Sequence, residues 1–310
     1  MADARRRSAY ALVVACVLTG CASTAEPLRT PVCAAQRKAG VASGQLERAA
    51  LPPLEPRTYR CGDVQSTGAA PFAAIRRLAT TREPVRILVY GQSLSEQSWW
   101  WKTKRWLEQT YPNGTLIMQM HAHGGCSSQC LIGHEPYFKD GSQFNHLPED
   151  VFAFHPDLII FHVFGDHVDY GYVLKAFTQG CDAFDDYRTW DGKDVPEVHC
   201  TALQRALAAG YRKPEVLVQN DFVLESAPAS CPEHPNQDNW PCFMNERVIP
   251  EHVARYGYQL QDNFHGWPRY LTEHSIDPET LLGPDHTHLS DPTGNEVMYR
   301  MTIPQLCFAP

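Results

Sequence analysis

The chain has 310 residues, 11 of them cysteines, and its 27 Lys and Arg stand against 35 Asp and Glu for a net charge of −8. An acidic, aromatic-rich chain lacks the basic face that nucleic acid demands, so a nucleic-acid role is set aside. The length supports one sizeable core rather than two large ones.

Residues 1–20 read as an export signal. Arg5-Arg6-Arg7 forms a basic start, and residues 9–18 form an apolar run too short for a membrane span of about 20 residues. The run ends in Leu18-Thr19-Gly20-Cys21, which resembles a bacterial lipobox. That resemblance implies cleavage before Cys21 and lipidation of its sulfur; a plain secretory signal with a chance cysteine is the alternative. A multiply acylated Cys21 would anchor the protein to a membrane in the cell envelope. Ala22 at the next position suits the outer membrane or cell surface of a Gram-negative source. Losing three arginines and one aspartate with the signal takes the net charge to −10.

Residues 21–80 are rich in Ala, Pro and Arg without a sustained apolar period, and read as a tether plus an N-terminal extension. Residues 81–310 form the main domain. Apolar runs at 86–90, 115–120, 158–164 and 216–219 predict buried parallel strands. Segments 96–111, 127–132, 171–177, 201–209, 246–262 and 293–301 predict helices. The alternation predicts a three-layer α/β/α fold with a central parallel sheet. Two Cys- and Pro-punctuated loops, 179–200 and 225–245, interrupt it as disulfide-rich insertions.

So many cysteines suit an exported chain. Setting aside Cys16 and Cys21 leaves nine, an odd number. Proximity suggests Cys33–Cys61, Cys181–Cys200 and Cys231–Cys242, although spacing does not fix connectivity. Cys126 and Cys130 pair only if the local backbone allows it.

Chemistry concentrates at two distant places. The run 85–90 stops at Gly91-Gln92-Ser93-Leu94, a small-residue turn that lifts a hydroxyl out of the sheet edge. Near the other end stands Asp285-His286-Thr287-His288, which supplies a base and a carboxylate to orient it; His286 competes as the relevant histidine. His123-Gly124-Gly125-Cys126 follows the second strand. His121-Ala122-His123 also admits a metal reading, with Asp166, His167, Asp285 or His288 as further ligands, but no metal and no cofactor are expected. Trp99-Trp100-Trp101 follows the hydroxyl turn; three consecutive tryptophans cannot all point inward, so one is expected to be exposed and able to stack on a sugar.

In these blocks the chain resembles the SGNH/GDSL hydrolase superfamily over about residues 85–305. Gly91-Gln92-Ser93-Leu94 matches the first family block with Gln92 in place of Asp, a variant familiar in carbohydrate O-acetylesterase branches. Asp285-x-x-His288 followed by Leu289-Ser290 matches the last. The third block departs: Gly165-Asp166-His167 carries His167 where the family has an oxyanion-hole Asn, and an imidazole N–H can donate as an amide does. The resemblance implies Ser93 as nucleophile, His288 as base and Asp285 as its orienting acid. It implies an oxyanion hole from Ser93, Gly125 (favoured over Gly124) and His167. The expected activity is hydrolysis of O-acyl, foremost O-acetyl, esters of a carbohydrate. Transfer of acetyl to a surface polysaccharide, or glycan binding on a degenerate scaffold, are the alternatives.

Overall fold

The computed structural model describes residue 61 and residues 69–133, 141, 145–163, 167–178, 198–222, 231–233 and 239–308. The signal segment, Cys21, Cys33, Cys181 and Trp190 lie outside the described residues, as does most of the loop expected at 179–200.

Five parallel strands form one sheet: β1 (Pro84–Gly91), β2 (Thr115–Ala122), β3 (Leu158–His162), β4 (Glu215–Gln219) and β5 (Gln259–Gln261). Their spatial order is β2-β1-β3-β4-β5. The chain moves from β1 outward to β2 and then crosses back to β3, so β1 and β3 meet where the strand order reverses. Open parallel sheets place their sites beyond the carboxyl ends of the strands at such a point. Gly91 pairs with His162 there.

Strand periodicity divides the interior between the two faces. On one face Val85, Ile87 and Val89 join Leu158, Ile160 and Leu217 in a core with Trp99, Trp106 and Trp267. On the other, Leu88 and Tyr90 join Ile159, Phe161, Val216 and Val218 with Tyr170 and Phe177. The first face is covered by α1 (Ala73–Thr80), α2 (Ser98–Thr110), α8 (Asn263–Glu273) and α9 (Thr293–Thr302). The second is covered by α3 (Ser128–Leu131), α4 (His167–Thr178), α5 (Val198–Ala208), α6 (Trp240–Phe243) and α7 (Ile249–Tyr256). This is the expected three-layer α/β/α arrangement.

Four elements differ from the sequence reading. The helix expected over 246–262 stops at Tyr256, because Gly257 adopts a left-handed φ of 71° and its N–H closes on Val253 and Ala254 carbonyls. The chain then forms β5, which extends the sheet through pairs such as Val218↔Leu260. Helix α8 follows despite Pro268, its start capped by the Asp262 carboxylate accepting from the His265 N–H. Helix α1 lies in the segment read as an extension, with Ala74, Ile75 and Leu78 buried. The Glu215 carboxylate at the start of β4 accepts the N–H groups of Ala73 and Ala74, both at 2.8 Å, and so meets the positive end of α1.

The tryptophan run divides as its spacing demands. Trp99 is buried with its indole N–H donating to Leu94 O (2.7 Å), Trp100 is half-buried, and Trp101 is 49% exposed beside Lys104. Trp106 is buried, and its replacement by Ala would cost about 3–5 kcal/mol.

Candidate active site

The site starts from a glycine that nothing can replace. At Gly91 φ is 152°, and a Cβ there would lie 1.8 Å from the His162 carbonyl oxygen of β3. The close approach lets β1 end flush against β3 and turn at once. Gln92 N–H and Ser95 Oγ both donate to that same carbonyl, at 3.3 and 3.4 Å. Ser93 opens a single 3-10 turn, Ser93–Glu96, and is half-buried at the sheet edge.

The acid–base loop shapes itself. Asp285 Oδ1 accepts the backbone N–H groups of Thr287 (3.1 Å) and His288 (3.0 Å), and Asp285 Oδ2 lies 2.6 Å from His288 Nδ1. The His288 backbone N–H, followed by its ring and the Thr287 N–H, holds the Asp285 carboxyl down at about 2. Gly283 N–H donates to His288 O (2.7 Å), and Leu282 bridges Leu289 across the loop. His286 is exposed with φ 55°, so the carboxylate serves His288. A depression of about 600 Å³ opens over Asp285, His286 and His288.

Two adjacent side chains after Ser93 reach to different loops. Gln97 Oε1 accepts the N–H of Leu289 at 3.1 Å, which fastens the acid–base loop to the start of α2. Glu96 Oε1 accepts the N–H of Gly124 at 2.8 Å, which fastens the glycine loop after β2. A third tie runs from Trp99 N–H to Asn295 Oδ1 (3.1 Å), while the Asn295 amide donates to Ser290 O (3.1 Å). The Asp285–His288 loop is thereby fastened to the start of α2, which begins five residues after Ser93. No hydrogen bond joins Ser93 to His288 among the described residues; such bonds are often long before substrate binds.

Gly125 is exposed with φ 82°. Its neighbour Gly124 is buried, and its N–H is already given to Glu96. The loop is closed by a Cys126–Cys130 disulfide, so the local backbone does allow that pairing; Cys231 and Cys242 are also bonded, as proximity suggested. The backbone of His167 opens α4, but its side chain and residues 164–166 lie outside the described residues.

The His121-x-His123 pair gathers on Asp150. His123 Nε2 lies 2.6 Å from Asp150 Oδ2, and His121 Nδ1 lies 2.8 Å from the Asp150 carbonyl. His123, His146 and Asp150 bring one ligand atom each within 4.8 Å of one another, close enough to share a divalent cation. Here His123 bonds to Asp150 and packs against the His146 ring at 3.9 Å between centroids, which braces the glycine loop.

Beneath the Ser93 turn lies a buried polar pair that the apolar look of its strands conceals. His162 Nδ1 is 3.2 Å from Gln219 O, and Nε2 is 4.0 Å from Asp221 Oδ1. Burial pushes His162 down to about 4 and Asp221 up to about 7, so both are neutral in mildly acidic solution.

No protein-family model matches the sequence, and no curated protein matches it either. Among solved structures, the chain is similar to a two-domain esterase active on acetylated mannans, with 13% identity and a TM-score of 0.49. That likeness covers 75% of this chain and 50% of the other, so the chain spans about half the length of that esterase. It is also similar to an acetyl xylan esterase, at 16% identity over 70% of this chain and 98% of that one, with a TM-score of 0.39. A Clostridium thermocellum family 3 carbohydrate esterase shows 12% identity over 72% and 93% of the two chains, with a TM-score of 0.39.

Proposed function

We propose that the chain is an exported serine esterase of the SGNH/GDSL type that removes O-acyl groups, foremost O-acetyl, from a carbohydrate. The observation that carries this reading is the 2.6 Å Asp285–His288 hydrogen bond on a loop that Gln97 ties to the Ser93 turn. With Nδ1 given to Asp285, the His288 Nε2 is the nitrogen left to take a proton.

Ser93 Oγ attacks the ester carbonyl as His288 removes its proton, and Asp285 stabilises the imidazolium that forms. The oxyanion is received by the Ser93 and Gly125 N–H groups, with His167 as a third donor. His288 then hands the proton to the departing alcohol, and water repeats the sequence on the acyl-enzyme. Every group in this scheme belongs to the chain, and none of the steps calls for a cofactor. The carbohydrate half of the reading is supported by the Gln92 variant and by the exposed Trp101 ring. Anchoring through a lipidated Cys21 completes the proposal; no helix among the described residues is long and apolar enough to cross a membrane.

The test is release of p-nitrophenol from p-nitrophenyl acetate. Ser93→Ala should abolish it while leaving the fold intact by circular dichroism. Undiminished turnover by that variant would end the assignment.

A further inference from the structure

Two cysteines that neither the fold nor the proposed chemistry uses face each other at opposite ends of the described chain. Cys61 and Cys307 are 246 positions apart, both half-buried against the first core. One phenol ties the two ends together: Tyr111 Oη lies 3.3 Å from Cys61 Sγ and accepts the N–H of Phe308, the residue after Cys307, at 2.8 Å. The residue before Cys307 reaches the same phenol as Cys61: Tyr111 Oη lies 3.3 Å from Leu306 O. The other cysteines whose side chains are described, 126 with 130 and 231 with 242, are already bonded. An environment that oxidises those pairs would oxidise this one.

We infer that Cys61 and Cys307 form a disulfide that staples the end of the N-terminal extension to the C-terminal tail. This displaces the Cys33–Cys61 pairing that sequence proximity suggests. With Cys61 and the backbone on either side of Cys307 gathered on one phenol, the two sulfurs need only a local approach to reach the ~2.05 Å of an S–S bond. Cys307, Tyr111 and the Phe308 backbone draw the Cys61 thiol below its ordinary value, so it is the readier thiolate of the two. It attacks the sulfur of an external disulfide oxidant, forming a mixed disulfide and releasing one thiolate. Cys307, losing its proton, then attacks the Cys61 sulfur and expels the second. Two protein thiols give up two protons and two electrons, and the oxidant leaves as two thiols.

The full mature chain, purified and equilibrated with oxidised glutathione, is alkylated without reduction, digested and mapped by mass spectrometry. The expected result is a peptide pair joined through Cys61 and Cys307, lighter than its separate members by two hydrogens. Closing so long a loop should raise stability, so Cys307→Ser should melt roughly 5–10 °C below the parent without reductant. Turnover of p-nitrophenyl acetate at 25 °C should be retained, which separates this inference from the esterase reading. Recovery of both cysteines as alkylated thiols, or of Cys61 joined to Cys33, would overturn it, whether or not the variant folds.

Discussion

The two loops flanking Ser93 reach their shapes by opposite routes. The acid–base loop is built from within: the partners of the Asp285 carboxylate are its own near neighbours, Thr287 and His288. The glycine loop is built from outside. Glu96 holds Gly124 and Asp150 holds His123, from 28 and 27 positions away. A loop that organises itself keeps its geometry wherever it is attached, and needs only docking. A loop braced from elsewhere loses its geometry when a remote partner goes.

The contrast is broken most severely at the self-built loop. Asp285→Asn removes the negative charge and leaves one oxygen, which cannot accept from both the backbone N–H groups and the ring, so kcat on p-nitrophenyl acetate should fall on the order of 10³–10⁴-fold. A loss below tenfold would mean that the Asp285–His288 bond has no part in turnover.

Next in size is the glycine loop. Glu96→Ala frees the Gly124 N–H, and kcat should drop about 10²-fold with little change in KM, because a donor misplaced by an ångström costs that much. Glu96→Gln keeps a side-chain oxygen in place and should restore activity to within about tenfold of the parent. Equal losses in both variants would show that Glu96 matters for something other than bracing. Gln97→Ala, which undocks the intact acid–base loop, should cost about tenfold, less than Glu96→Ala.

The smallest effect is on stability rather than rate, and it contrasts the exposed Asp285 with the buried Asp221. Asp285 is held down, so its contribution is present above about pH 4 and is lost as pH falls towards 2. Asp221 is held up at about 7, against 3.8 for the free group. Between those values the folded state binds more protons than the unfolded one, so stability contributed by the protonated acid is lost as pH rises. His162, down at about 4, works in the opposite sense over pH 4 to 6.5 and masks that slope. Asp221→Asn removes only the first of the two. Relative to the parent, its unfolding free energy in urea should climb by about 1.4 kcal/mol per pH unit between pH 4 and 7. A constant difference across that range would show that Asp221 is not buried as a neutral acid.

The same contrast explains what the sequence alone makes legible. The four long strands announce themselves as apolar runs, and Asp285-x-x-His288 is readable because its hydrogen bonds span three residues. Glu96 and Gln97 were invisible because their partners stand 28 and 192 positions away. Asp150, 27 positions from His123, was hidden in the same way. Strand β5 was missed because three residues, two of them glutamines, carry almost no periodic signal beside a strong helix. Helix α8 is masked in the sequence by Pro268, which reads as a breaker, and α1 by its length, because eight residues fall short of a sustained period. The buried His162–Asp221 pair is hidden because its members lie in and just beyond two separate strands, 59 positions apart. Local chemistry shows in a sequence; the braces that aim it do not.

Covalent trapping of the nucleophile tests the central claim most directly. A fluorophosphonate ester, followed by digestion and mass spectrometry, should label Ser93 alone, and labelling should fall by orders of magnitude in His288→Ala. Label on another serine, or labelling of Ser93 that proceeds equally fast without His288, would contradict it.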